Sequence, residues 1–323
     1  MLVLGIGLIA WPHRLPQQGH DVRTLWRLAR GLRACPLPAP DSLWARDVRE
    51  ASVDPRSARW IATLGPDAGL HADFGGDAGV PVQTVSWLQP MQTLDLVHVG
   101  NSDDVGYPID DDLLVERATR AHPQRAVLWD PSACLSWELI EPQREAAGWS
   151  ALRAERVDLR AGPRDDSGWK TLRPNSGPEA PWHDGSGVPL LPLLARTDEV
   201  RGQAIGHALH LGAPNLQRAY VAPARWAASP VVDPDRPPMG ARLRLRADFD
   251  CGALAPQSQR LCEALQIHGA FLAESGARVE LAGELSADWD RADLATLREI
   301  RVADLEVLTT GPATVYGLES QRE

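Results

Sequence analysis

The sequence predicts a mainly β fold carrying a few short helices, and three observations predict it. Glycine and proline each supply 27 of the 323 residues, so turns are frequent and long helices have little room. Apolar and polar residues alternate with a period of two in several short runs, most clearly at 241–249, ARLRLRADF, where the leucines should face the core and the arginines water. Helical spacing is confined to short stretches with recognisable caps.

Taken in order, residues 1–41 read as an N-terminal extension. It opens on an apolar run of signal-peptide length, LVLGIGLIA, with no basic leader before it and no small-residue cleavage site directly after it. This run is too short to span a bilayer. Five prolines follow up to Pro40, and residues 42–323 read as one domain. Asp54 and Pro55 start a short helix that Gly65 ends. Strands are expected at 79–85 and 94–99, then a hairpin of 126–130 and 134–139 about the turn Asp130-Pro131-Ser132-Ala133. A loop rich in Gly, Pro, Asp and Ser fills 161–187, and loops of that length are usually functional or mobile. A strand ends near Trp226. From Pro256 to Gly276 the period lengthens: Leu261, Leu265, His268 and Leu272 lie along one helical face. Short elements close the chain: a strand at 279–281, a capped helix at 290–298 and a last segment at 302–308.

Composition excludes some functions. The formal net charge is −10 with arginines scattered rather than clustered, which disfavours nucleic acid. Cys35, Cys134, Cys251 and Cys262 contain no close chelating pair, so a zinc finger is excluded and no cofactor is named by spacing. Cys251 and Cys262 could bridge if the chain between them turns back; free thiols fit equally well. Five aspartates between Asp103 and Asp112 lack the spacing of a calcium loop and read as a solvated acidic loop. Whether a metal is needed stays open.

The centre of the chain is 187–211, GVPLLPLLARTDEVRGQAIGHALHL. Its proline-broken apolar run reads as a buried, extended connection. Thr197-Asp198-Glu199 reads as a helix start, and Gly202 and Gly206 keep that helix short. Residues 205–211 then alternate as a strand that puts His207 on the apolar face. There it serves either as a satisfied core histidine or as a proton-transfer group. Asp198 is a candidate carboxylate. So is Asp73, although a turn-forming role suits its place before Gly75 and Gly76. Glu138 alternates with Trp137 and Leu139, and either faces solvent or supplies the acid of a saccharide site.

The collinear pieces VDPRSARWIATLG, HADFG, GVPV, SDDVGYPI, CLSWEL, GVPLLPLLARTDEV, GHAL, AYVAPAR, PPMGARLRLRADFD and DWDRADL, spread over 42–308, resemble a family of secreted bacterial, and some fungal, proteins. The resemblance implies a jelly-roll-like β-sandwich and export to the cell envelope or medium. The chain departs from the family pattern at His122-Pro123-Gln124-Arg125, at Arg225-Trp226 and at Ala273-Glu274-Ser275-Gly276.

Together these readings lead to an extracytoplasmic protein that binds or acts on polysaccharide, with no integral membrane span. Glu138, Asp198, His207 and Asp73 are the candidate catalytic residues, whether for a hydrolase or a lyase. A non-catalytic binding or surface module is the alternative, and enzymatic activity is left undecided.

Overall fold

The Cα path of the computed structural model is organised about two sheets. It describes residues 35–86, 88–117, 123–160, 185–202, 204–227 and 229–315. The extension up to Ala34 and most of the long loop (161–184, with Trp169 and Trp182) therefore lie outside the described residues, as does His122. Sheet outweighs helix, in agreement with the mainly β class.

The first sheet takes β1 (Val82–Thr84), β3 (Arg125–Asp130), β4 (Leu135–Ile140) and β7 (Arg153–Asp158) in the order β1-β3-β4-β7. The expected hairpin is present: β3 and β4 are antiparallel with Val127 opposite Glu138. Asp130 holds its turn, since Oδ1 accepts the amides of Ser132 and Ala133 at 2.8 and 3.0 Å. Alternation divides the sheet cleanly. Ala126, Leu128, Trp137, Leu139 and Ala154 pack into one apolar cluster. The opposite face carries Arg125, Glu138, Arg153 and Glu155, which gathers these four charged groups on one side. Beside this sheet, β2 (Asp95–Leu96), β5 (Gln143–Glu145) and β6 (Gly148–Ala151) form a three-stranded sheet.

The second sheet has the order β12-β8-β11-β10-β13, from β8 (Leu209–Ala213), β10 (Arg242–Leu245), β11 (Ala270–Ser275), β12 (Glu280–Leu281) and β13 (Leu305–Val307). A two-stranded pair, β9 (Ala219–Tyr220) with β14 (Thr314–Val315), completes the strands. Three pairs are parallel: β1 with β3, β2 with β6 and β8 with β11. A jelly roll is an antiparallel arrangement; these mixed sheets carry the β-rich class and not that finer topology.

Among the described residues, four short helices accompany the sheets: α1 (Ser57–Leu64), α2 (Thr197–Gly202), α3 (Pro256–Ile267) and α4 (Arg291–Leu294). Gly65 at φ 89° and the Asp290 cap behave as their residue types predict; α1, however, begins at Ser57 with Arg56 at its N-cap and no side-chain cap, two residues past the expected start at Pro55, and Asp54 accepts the Arg56 amide in the turn before it.

Two expectations about this half are corrected. The helical period seen from Pro256 to Gly276 belongs to a helix that stops at Ile267 and a strand that follows it. Gly269 makes the break: its φ is +67°, and a Cβ there would collide with the Leu243 carbonyl. β11 is buried on both faces, so it shows no two-residue period and is indistinguishable by pattern from more helix.

Nor do the arginines of β10 face water; Arg242 and Arg244 are both buried. The segment from Leu43 to Ala51 crosses over the strand, and the guanidinium groups donate to its carbonyls. Arg242 donates to Leu43, Arg46 and His268 oxygens at 3.2, 2.9 and 2.8 Å. Arg244 donates to Val48, Arg49 and Ala51 carbonyls and to Glu306. A buried carbonyl without a donor would be costly, so the arginines face inward.

The central stretch joins the two sheets. Leu190, Leu191 and Leu194 pack with Val127 and Val157 of the first sheet and with Ala282 beside β12. The stretch is buried as expected but turns as a 3-10 helix at Leu191–Leu193 instead of running extended. Pro192 suits the start of such a turn, which needs no amide from it.

The cysteines pair as Cys35–Cys134 and Cys251–Cys262, with sequence separations of 99 and 11. Cys35 is thereby fixed to the β3–β4 turn, and the Leu37 carbonyl accepts from Arg196 at 2.9 Å, so residues 35–41 are joined to the body rather than to the extension. Closing the longer loop removes more entropy from the unfolded chain. Replacing Cys35 and Cys134 by alanine should lower stability by about 4–5 kcal/mol, against about 3 kcal/mol for Cys251 and Cys262. Urea unfolding of the two double variants measures the difference.

Candidate active-site cleft between the sheets

The charged face of the first sheet meets the edge of the second, and two adjoining hollows lie along the meeting line. The smaller, of about 460 Å³, is lined by Arg125, Glu138, Arg153, Glu155, His210 and Glu274 among others. The larger, of about 620 Å³, includes Asp73, Glu116, Arg125, His210, Glu274 and Arg278. Arg125, His210 and Glu274 border both, so the hollows adjoin across these buried side chains; together they are called the cleft.

Register brings these side chains together. Glu138 and Glu155 are directly opposite on β4 and β7, which sets their Cβ atoms about 5 Å apart on one face. On the other wall, β11 pairs with β8 in parallel, and a bulge between Leu272 and Glu274 puts Glu274 opposite Gly212. Gly212 and His210 share a face, so the bulge aims Glu274 into the cleft beside His210.

The two paired glutamates have different surroundings. Glu138 accepts the Leu190 and Leu191 amides at 2.7 and 2.9 Å. Burial nevertheless dominates and pushes its carboxyl up from 4.5 to about 7, with the nearby Glu155 charge acting in the same direction. Glu155 is gripped by the guanidinium groups of Arg153 and Arg225. Those groups sit 5.1 and 4.5 Å from the Trp226 ring, which adds cation–π support to the clamp. One glutamate is thus a proton carrier near neutrality and the other is an ion-paired carboxylate.

A second charged group closes the cleft. Arg125 donates to both oxygens of Glu116 at 2.6 and 2.9 Å and to Glu274 at 2.8 Å. Burial opposes the charge on Arg125, but Glu274 and Glu116 outweigh it and hold the guanidinium more firmly protonated than usual. All three residues are buried.

The residues predicted from sequence separate on this frame. Glu138 lines the smaller hollow. Asp73 lines the larger one, pairing with Arg278 at 2.5 Å, Arg298 at 3.2 Å and His71 at 3.6 Å. Asp198 is exposed on α2, with 79% of its side chain accessible, and lines neither hollow. His207 has no exposed surface. Its Nε2 meets Glu199 at 3.0 Å and its Nδ1 the Ala208 carbonyl at 2.8 Å, while Glu199 also binds Arg196 at 2.6 Å. It is a core histidine with both nitrogens engaged, and the strand it was expected to occupy begins two residues later.

Sequence reasoning passed over Glu155, Arg153, Arg125, His210 and Glu274. A partial signal existed. Arg125, Arg225 and Glu274 lie at the places where the sequence differs from the expected family resemblance, and His210 lies three residues past His207. Nothing in the linear order pairs Glu138 with Glu155.

Among the described residues no cluster of histidine, cysteine and carboxylate groups is arranged to hold a metal. The chain matches no family model, no curated protein and no solved structure.

Two outcomes follow for stability. Because the folded-state pKa of Glu138 is raised, the protein gains stability from this group below about pH 4.5 and loses it as pH rises through about 7. Glu138→Gln should flatten that part of the profile in urea unfolding between pH 4.5 and 7.5. Arg125→Met leaves two buried carboxylates without their cation and should cost about 3–5 kcal/mol by the same measurement.

Proposed function

We propose that the protein acts on polysaccharide outside the cytoplasm, cutting a glycosidic bond in the cleft between the two sheets. The observation that carries this reading is the pair Glu138 and Glu155: two carboxyl groups in register, one desolvated and titrating near neutrality, the other held by two arginines. Unlike environments on adjacent carboxyl groups separate the acid from the base.

In this mechanism Glu138 gives its proton to the leaving glycosidic oxygen as the bond from the anomeric carbon to that oxygen breaks. Glu155 either attacks the anomeric carbon or takes a proton from the water that does. A water molecule is consumed, and the proton finally returns to Glu138. Arg153, Arg225 and Trp226 position Glu155.

The two disulfides support an oxidising compartment and hence export. The family resemblance points the same way. The apolar cluster shared by the two sheets supports reading them as the layers of a β-sandwich.

Purified protein incubated with a panel of neutral and acidic glycans, with reducing ends and new double bonds followed, tests the proposal. Glu138→Gln and Glu155→Gln should each lower turnover about 10²–10⁴-fold, with glycan binding kept, while Asp198→Asn should stay within about twofold. The rate should decline on the alkaline side of about pH 7, where Glu138 loses its proton. Binding without product in the wild type would overturn cleavage and leave a binding module; new double bonds in place of hydrolysis would make the reaction an elimination.

A further inference from the structure

Beyond the cleft, Asp73 and Phe74 belong also to a third hollow of about 410 Å³, completed by Ala72, Arg291, Ala295 and Arg298. Arg278, Arg291 and Arg298 pair with Asp73 or line this third hollow. Arg278 pairs with Asp73 at 2.5 Å and through Nε with Glu280 at 2.9 Å. Arg298 reaches Asp73 with a single Nη2 at 3.2 Å. Arg291 is exposed and makes no hydrogen bond or ion pair among the described residues.

Three guanidinium groups therefore face two carboxylates, and both carboxylates already bind Arg278. The acids on the helix that carries Arg291 are taken up elsewhere. Asp290 accepts the amides of Ala292 and Asp293, and Asp293 accepts those of Gln257 and Ser258. In a chain with a net charge of −10, this hollow is lined by two guanidinium groups and one carboxylate, with N–H donors that no described residue takes up. Guanidinium groups with free donors are matched by a planar, bidentate anion such as a carboxylate.

We infer that the hollow formed by Arg291 and Arg298 is a subsite for the carboxylate of a uronic acid unit, so that the polysaccharide taken by the cleft is acidic. This rests on the glycan reading above. Asp73 and Phe74 line both hollows, so a saccharide chain lying in the cleft reaches the subsite with a neighbouring unit. Asp73 is then a positioning residue: it holds Arg298 at the hollow and leaves the remaining donors of that guanidinium to the ligand.

Titration calorimetry of the full chain with polygalacturonate and with dextran, a neutral glucan, tests the inference. Wild-type protein should bind polygalacturonate more tightly, and the preference should shrink as NaCl is raised, because exposed charge is screened. Arg291→Ala removes a side chain with no partner and should weaken polygalacturonate binding about 5–10-fold with dextran binding unchanged. Arg298→Ala should do the same, and Arg291→Lys should restore part of the loss. Unaltered polygalacturonate affinity in both alanine variants would overturn the subsite, as would a wild type that prefers dextran, and either result would leave the glycan reading standing. Failure of the wild type to bind any glycan, acidic or neutral, would overturn both.

Discussion

The arrangement of this protein depends on one desolvated carboxylate. Glu138 projects from the first sheet and accepts the adjacent amides of Leu190 and Leu191, which begin the turn that the rest of the chain packs around. Those leucines are themselves buried between the sheets. The 3-10 turn leaves amides that cannot be paired within it, and a buried amide without an acceptor is costly. A carboxylate supplies two acceptors at once. The same burial that makes the contact structurally useful raises the affinity of Glu138 for a proton, so one interaction both docks the sheets and creates the group on which the proposed chemistry rests.

Arginine does for carbonyls what Glu138 does for amides. Arg242 and Arg244 leave the expected solvent side of β10 because the loop lying over the strand covers them and offers carbonyl oxygens as acceptors. Arg125 joins Glu116 on a connecting segment to Glu274 on the second sheet. Arg153 and Arg225 brace Glu155 while resting on Trp226. Lys170 is the only lysine. A guanidinium group carries five donors in a fixed plane and is more weakly hydrated than an ammonium group, so these buried positions suit it. A high arginine content that composition alone leaves without a structural role thus becomes part of the internal framework.

The cleft inherits its asymmetry from these contacts. Its first wall is a flat, regular face on which β-sheet register sets Glu138 beside Glu155. Its second wall comes from an irregular strand, where a bulge turns Glu274 toward His210. Regular pairing positions the proposed acid and its partner; irregularity adds the buried ion cluster that closes one side. Asp73 then connects this cleft to the arginine-lined hollow. Asp198 and His207, by contrast, serve the helix start and the core beside it: Asp198 accepts the Glu199 amide at 2.9 Å, and His207 fills a buried place against Glu199.

Local physics was legible in the sequence. The Asp130 turn with its hairpin, the Gly65 helix end, the Asp290 helix start and the short helix from Thr197 all depend on interactions within a few residues. Side-chain propensity and φ restriction report such interactions directly. The helix-to-strand break at Gly269 and the inward arginines of β10 were not legible, because each depends on a neighbour far along the chain: the Leu243 carbonyl in one case and the 43–51 loop in the other. The site follows the same division. Glu138 could be singled out from its alternation with Trp137 and Leu139. Its partners could not, since sheet register, a bulge and burial decide which carboxyl group lies opposite, which arginine clamps it and how tightly it holds a proton. Sequence determined the β-rich class and marked Glu138 as a candidate; tertiary structure alone decided the company that residue keeps, because electrostatics depends on distance and dielectric, and neither is a property of linear order.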